Sequence, residues 1–61
     1  MEIVKIPTES IQLKDKVVPK HVVVFKGKVV HIGTEAQCHR FVYYMDGASD
    51  EMILSRAELN K

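Results

Sequence analysis

The clearest pattern in the chain is a pair of apolar runs on either side of Lys26 and Gly27. Valine, isoleucine and phenylalanine dominate both runs, which span His21–Phe25 and Lys28–Ile32. Such residues favour strands, and glycine readily supplies the positive φ of a two-residue hairpin turn. This stretch therefore predicts an antiparallel β-hairpin.

A two-residue loop sets the expected register of this hairpin. Phe25 then lies opposite Lys28, and regular pairing back along the strands brings Val22 opposite His31. Successive side chains point to opposite faces of a strand. One face should carry Val23, Phe25, Val30 and Ile32, and the other Val22, Val24, Val29 and His31. Both faces are therefore expected to be largely apolar.

A helix is predicted directly after the hairpin. Thr34 and Gln37 have the spacing of a capping box, in which each side chain accepts a hydrogen bond from the other residue's backbone. An apolar stripe follows at helical spacing, and Asp46 and Gly47 provide a stop because glycine tolerates the left-handed conformation. The stripe consists of Cys38, Phe41, Val42 and Met45. We expect it to pack on the hairpin face that contains Val23.

The segment before the hairpin predicts short strands. Glu2–Ile6 is rich in β-branched residues and is expected to end at Pro7, which cannot donate a ladder hydrogen bond. Ile11–Lys14 alternates apolar and polar residues, as a second short strand would.

The segment after the helix has two readings. Glu51–Leu54 is expected to form a last strand, followed by a one-turn helix that a second capping box opens at Ser55. The alternative is a single helix from Asp50 to Asn60. Together the elements predict one α+β domain over residues 1–61: a small antiparallel sheet of three to five short strands, a central β-hairpin and one principal helix packed on one face.

Composition indicates the cellular environment in which this domain is expected. The chain has 61 residues and one cysteine, Cys38, so no disulfide can form within it. A lone thiol is typical of a reducing compartment, and no apolar run approaches the ~18 residues that a membrane helix needs. We expect a soluble cytoplasmic protein without membrane contact. The formal net charge of +1 gives no overall field that would attract nucleic acid.

Histidines and the cysteine are the candidate ligands of a metal ion. In the expected register His21 and His31 point to opposite faces of the hairpin. Cys38 and His39 are neighbours on a helix and diverge by roughly 100°, so His39 is not placed to act as a base for a Cys38 nucleophile. We therefore expect no metal, no other cofactor and no catalytic residue, and a protein that is not an enzyme.

Apolar surface in excess of what one helix can cover is the main functional signal. The second hairpin face contains Val22, Val24 and Val29, and Tyr44 lies beside the helix stripe. Burial of such a surface against another protein stabilises a small chain. These four residues predict a protein-interaction module, such as an adaptor, inhibitor or regulatory accessory protein, that forms a homodimer and binds a protein the sequence does not identify.

Two other readings of these surfaces stay open. The remaining apolar residues of the chain could cover the second face themselves; they are Ile3, Val4, Ile6, Ile11, Leu13 and Ile53. Alternatively, the chain is a nucleic-acid-binding module, because a β-ribbon with basic residues at its tip can follow phosphates. The residues for that function are Lys26 and Lys28 at the hairpin tip, with Lys20 and Arg40.

Overall fold

The computed structural model describes residues 1–59 of the chain. Its elements are β1 (Glu2–Leu13), β2 (Lys16–Phe25), β3 (Lys28–Gly33), α1 (Glu35–Met45) and α2 (Asp50–Leu59). The strands form a three-stranded antiparallel sheet in the order β1-β2-β3. The predicted α+β class is confirmed, with two helices of 11 and 10 residues in place of one principal helix.

The predicted hairpin is present, but its register changes after two residue pairs. Lys26 and Gly27 have φ angles of 51° and 77°, as a two-residue turn with two left-handed positions requires. Beyond the turn Val23 pairs with His31, so Val30 is an extra residue that forms a β-bulge. The predicted pairs of Val23 with Val30 and of Val22 with His31 are therefore wrong.

The bulge exchanges the faces of the next two residues. Val30 is fully buried on the helix side of the sheet. His31 pairs with Val23 and lies on that same side, whereas Ile32 pairs with Val22 on the opposite side. The sequence prediction had assigned His31 and Ile32 the other way round, because a regular ladder takes no account of an inserted residue.

The two short strands predicted at the start of the chain are one strand of 12 residues. Its pairing with β2 shifts between Ile6 and Ser10, while the opposing residues Lys20 and Pro19 are adjacent. Pro7 lies in this irregular stretch, where a missing N–H costs no ladder hydrogen bond. Strands β1 and β2 also form a hairpin. Its residues 7–19, which include the irregular stretch and the turn, are here called the arm.

Helix α1 begins and ends where the sequence predicts. Thr34 Oγ1 accepts a hydrogen bond of 3.2 Å from the backbone of Gln37, and Gln37 Oε1 accepts one of 3.0 Å from the backbone of Thr34. This reciprocal capping box leaves two fewer unsatisfied N–H groups at the helix start. After the helix Gly47 has a φ angle of 85°, the left-handed conformation expected of a stop.

Helix α2 corresponds to the alternative reading of the last segment, and the predicted strand at Glu51–Leu54 is wrong. Ser49 Oγ accepts a hydrogen bond of 3.2 Å from the Met52 backbone and opens the helix. Ser55 makes no capping box, because its hydroxyl donates to the Met52 carbonyl at 2.7 Å within the helix. Asn60, the last residue of that alternative, lies outside the described residues.

Both helices pack on one face of the sheet. Their buried residues Cys38 and Ile53 form a single cluster with Val23 and Val30. Half-buried side chains surround this cluster: Ile3, Phe25, Phe41, Val42, Met45, Ala48 and Ala57. The predicted stripe of α1 therefore reaches the core, and residues 1–59 form two layers, with both described helices on the same side of the sheet.

Candidate functional site

The sheet face turned away from both helices carries mainly apolar side chains and is here called the far face. Directly paired residues share a face, so the pairing defines its cross-strand rows. One row contains Val4, Val22 and Ile32, the next contains Glu2, Val24 and Val29, and the third contains Ile6 and Lys20. No helix of residues 1–59 lies over this face.

The side chain at the centre of the far face is buried, whereas the side chains along β3 are exposed to solvent. Val22 is only 7% exposed because it lies on the central strand between Val4 and Ile32. Val29 and Ile32 on the edge strand are each 38% exposed. Three of the four residues predicted for protein interaction, Val22, Val24 and Val29, therefore lie together on this surface.

The fourth predicted residue, Tyr44, lies elsewhere. It is on α1, it is 70% exposed, and it borders two cavities together with His31 and Phe41. Its ring meets that of Tyr43 nearly edge-on, with 5.7 Å between the centroids. The structure thus divides the predicted interaction residues between the far face and the opposite, helical side of the molecule.

The basic residues predicted for nucleic-acid binding are spread over the molecule. Lys20 is on the far face, where its Nζ donates to Glu9 Oε1 at 2.9 Å. Lys26 forms an ion pair with Asp50 at the start of α2. Lys28 pairs with Phe25 across the hairpin, and Arg40 is on α1. Two of these four cations therefore already have a carboxylate partner.

A groove runs between β3 and the helices. It consists of two cavities of about 420 and 390 Å³ that meet at His31, Phe41 and Tyr44. The first cavity is completed by Ile32, Gln37 and Arg40, and the second by Val30, Met45, Arg56 and Leu59. The sequence placed Arg40 and Tyr44 in separate hypotheses, whereas the fold brings them to the same cavity.

His31 forms the floor of this groove with Phe41. The two rings are stacked, with centroids 4.7 Å apart and an interplanar angle of 12°. Burial lowers the pKa of His31, because the low-dielectric surroundings disfavour the charged imidazolium. Sequence reasoning missed this contact because it placed His31 on the far face.

A third cavity of about 460 Å³ separates the arm from the first turn of α1. Its most buried polar side chain is His21, whose Nδ1 is 3.3 Å from the Pro19 carbonyl oxygen. The other ring nitrogen lies 3.8 Å from the Glu35 carboxylate, too far for a hydrogen bond. Lys5 and Lys16 also line this cavity, so it contains charges of both signs.

The candidate metal ligands and nucleophile are two histidines of the sheet and two neighbouring residues of α1. The prediction that His21 and His31 face opposite sides is wrong, because the bulge puts both on the helix side. Within residues 1–59 no three His, Cys, Asp or Glu side chains converge on a possible metal site. Burial raises the pKa of the Cys38 thiol, with an opposing contribution from a hydrogen bond to the Gly33 backbone, and His39 is exposed.

Within residues 1–59 neither helix has the length and apolar character to cross a membrane.

Residues 1–59 form a two-layer α+β domain in which no described helix covers the far face and a groove lined by aromatic residues lies beside β3. No protein-family model matches the chain, and neither a curated protein nor a solved structure matches it.

Proposed function

We propose that this chain is a non-catalytic protein-interaction module that self-associates through the far face. The observation that carries the proposal is the placement of both helices on the other side of the sheet. The far face therefore leaves apolar side chains in contact with water, at a cost of about 25 cal/mol for each Å² of apolar surface. Contiguous patches of this kind are typical of interaction sites.

The partner that we propose for this face is a second copy of the chain, and the charges at its ends support that choice. Glu2 lies in the row at one end, and Lys20 lies in the row at the other. A two-fold axis that crosses the strands between two stacked sheets reverses the strand direction. It therefore brings Glu2 of one copy towards Lys20 of the partner subunit, so that unlike charges face each other while each Lys20 keeps its own Glu9 as a partner.

Chain size supports the same choice. A domain of about 60 residues buries only about 60% of the surface that its unfolded chain exposes. The described residues provide one small cluster of fully buried apolar side chains. Stacking two far faces would add a second apolar layer without any further residue in the chain. A cytoplasmic location belongs to this proposal, and the single free thiol of Cys38 supports it.

The test is the dissociation constant of the dimer, measured by sedimentation equilibrium over a wide range of protein concentration. Val29→Lys and Val24→Asp place a charge in the proposed interface and should raise that constant at least about tenfold, since burial of an unpaired charge is costly. The matched control is Val17→Lys on the arm, where the side chain is 61% exposed and lies outside the far face. It should leave the constant unchanged.

Two results would contradict the proposal. One is a protein that stays monomeric at millimolar concentration. The other is a dimer that Val17→Lys weakens as much as Val29→Lys does. Circular dichroism of each variant checks that the fold is retained.

A further inference from the structure

The groove between β3 and the helices has a charge pattern unlike that of the other large cavity. Arg40 lines its first cavity and Arg56 its second, and within the described residues no aspartate or glutamate lines either. The cavity beside the arm, in contrast, combines Lys5 and Lys16 with Glu35. Arg40 therefore contributes a positive charge to the first cavity. An anionic ligand is complementary to this surface.

The groove also has walls suited to a flat ring. Tyr44 is 70% exposed, and its contact with Tyr43 is edge-on, with an angle of 68° between the two rings. Ile32 on β3 and Phe41 on α1 provide further apolar walls of the same cavity. Exposed aromatic rings next to an arginine are the elements with which proteins stack nucleobases.

A hydrogen-bond donor completes the first cavity. Gln37 lines this cavity and uses Oε1 to accept from the Thr34 backbone, so its amide N–H₂ group is the part of the side chain that can donate. The volume of about 420 Å³ lies within the range of about 300–1,000 Å³ that is usual for small-molecule sites.

We propose that this groove binds a nucleotide, with the base stacked on Tyr44 and the phosphate on Arg40. The guanidinium group can form two parallel hydrogen bonds to one phosphate. Arg40 and Tyr44 lie on the helix side of the sheet, whereas Ile32 at the edge of the cavity also belongs to the far face. The same chemistry is present in a free nucleotide and in a single strand, and the experiment separates those two sources.

The experiment is a titration of the ¹⁵N-labelled protein with adenosine 5′-monophosphate, followed by amide chemical shifts. Resonances at the end of β3 and in the first half of α1 should move with a dissociation constant of about 1 mM or lower, which corresponds to a modest site. Adenosine and ribose 5-phosphate each provide one half of the ligand. Each should bind at least about fivefold more weakly than the nucleotide, because stacking and phosphate contacts both contribute.

Two substitutions assign the halves. Arg40→Gln should weaken binding of the nucleotide at least about fivefold and leave adenosine unaffected, because it removes only the charged phosphate contact. Tyr44→Leu should weaken both ligands by similar factors, because it removes the stacking surface. Tyr43→Leu is the matched control for the tyrosine, since that side chain is 78% exposed and lines neither cavity. Lys28→Gln is the matched control for the arginine.

Fluorescence anisotropy with a labelled oligothymidylate identifies the source of the nucleotide. Binding of the strand well below the concentration at which the mononucleotide binds assigns the site to single-stranded nucleic acid, and equal binding assigns it to free nucleotides. The proposal is overturned if neither ligand moves the groove resonances at about 10 mM, where a millimolar site would be nearly saturated. It is also overturned if Tyr43→Leu weakens binding as much as Tyr44→Leu does.

Discussion

Gly33 joins the end of β3 to the start of α1, and its missing side chain is what the capping box requires. A methyl group built at this position would overlap Oε1 of Gln37. That oxygen accepts the Thr34 N–H at 3.0 Å. The glycine therefore serves close packing here, whereas Gly27 serves a left-handed turn.

Gly33→Ala should lower the free energy of unfolding by about 1 kcal/mol, the usual value of a helix N-cap interaction. Urea denaturation measures the change. In a Gln37→Ala background the same substitution should cost much less, because the clashing oxygen is absent. Equal costs in the two backgrounds would show that the clash with Gln37 is not the cause.

The lowered pKa of His31 predicts that stability depends on pH. Its pKa is lowered from 6.5 by burial, so below that pH the unfolded chain binds a proton that the folded chain takes up only at lower pH. The free energy of unfolding should therefore fall as the pH drops from about 7 to 5. Because His31→Phe retains a ring over Phe41 and cannot titrate, it should show a smaller fall in urea denaturation.

A pH dependence that His31→Phe does not change would assign the titration to other groups.

Local chemistry explains which residues the sequence could place. The capping box of Thr34 and Gln37 and the turn at Lys26 and Gly27 involve residues within a few positions of each other, and both were predicted. The sides of His31 and Ile32 were not. They depend on one inserted residue, Val30, whose burial becomes favourable only when the helices pack on the sheet.

At the scale of elements, α2 shows the limit of pattern reading. Three successive apolar residues, Met52, Ile53 and Leu54, suggested a strand, but only Ile53 is fully buried. Ile53 and Ala57, four positions apart, are the residues of α2 that reach the core. Because one isoleucine and one alanine make these contacts, the helix has no clear apolar stripe in the sequence. Ser49 was overlooked as its cap.

Two serines in this segment give a matched pair of substitutions. Ser49→Ala removes the acceptor for the Met52 N–H and should destabilise the fold by about 1 kcal/mol. Ser55→Ala removes only a bond back to a helix carbonyl and should change stability by less than about 0.5 kcal/mol. Thermal unfolding compares them, and similar losses would contradict the assignment of the cap.

For the whole molecule, self-association predicts that stability depends on protein concentration. Dilution should lower the midpoint of thermal unfolding by several degrees over about a hundredfold range, since linkage to a dimer contributes on the order of 1–3 kcal/mol. Differential scanning calorimetry at two concentrations measures this shift. Val29→Lys should abolish the concentration dependence, whereas a midpoint that is independent of concentration in the parent chain would count against the dimer.

The candidate surfaces were predictable to different degrees. Val22, Val24 and Val29 were placed together because the turn fixes their pairing locally. Their neighbours Val4 and Ile32 on the far face came from β1 and from the bulge, which no short segment determines. The groove was not predicted, because Arg40 and Tyr44 meet β3 only through long-range packing.

The one-sided placement of the helices has a consequence for the shape of an assembly. Two sheets packed back to back lie about 10 Å apart. The resulting particle would have four layers in the order helix, sheet, sheet, helix, with a middle seam made chiefly of valine and isoleucine. Each nucleotide groove would then open on an outer surface, so that one particle would present two such openings to solvent on opposite sides.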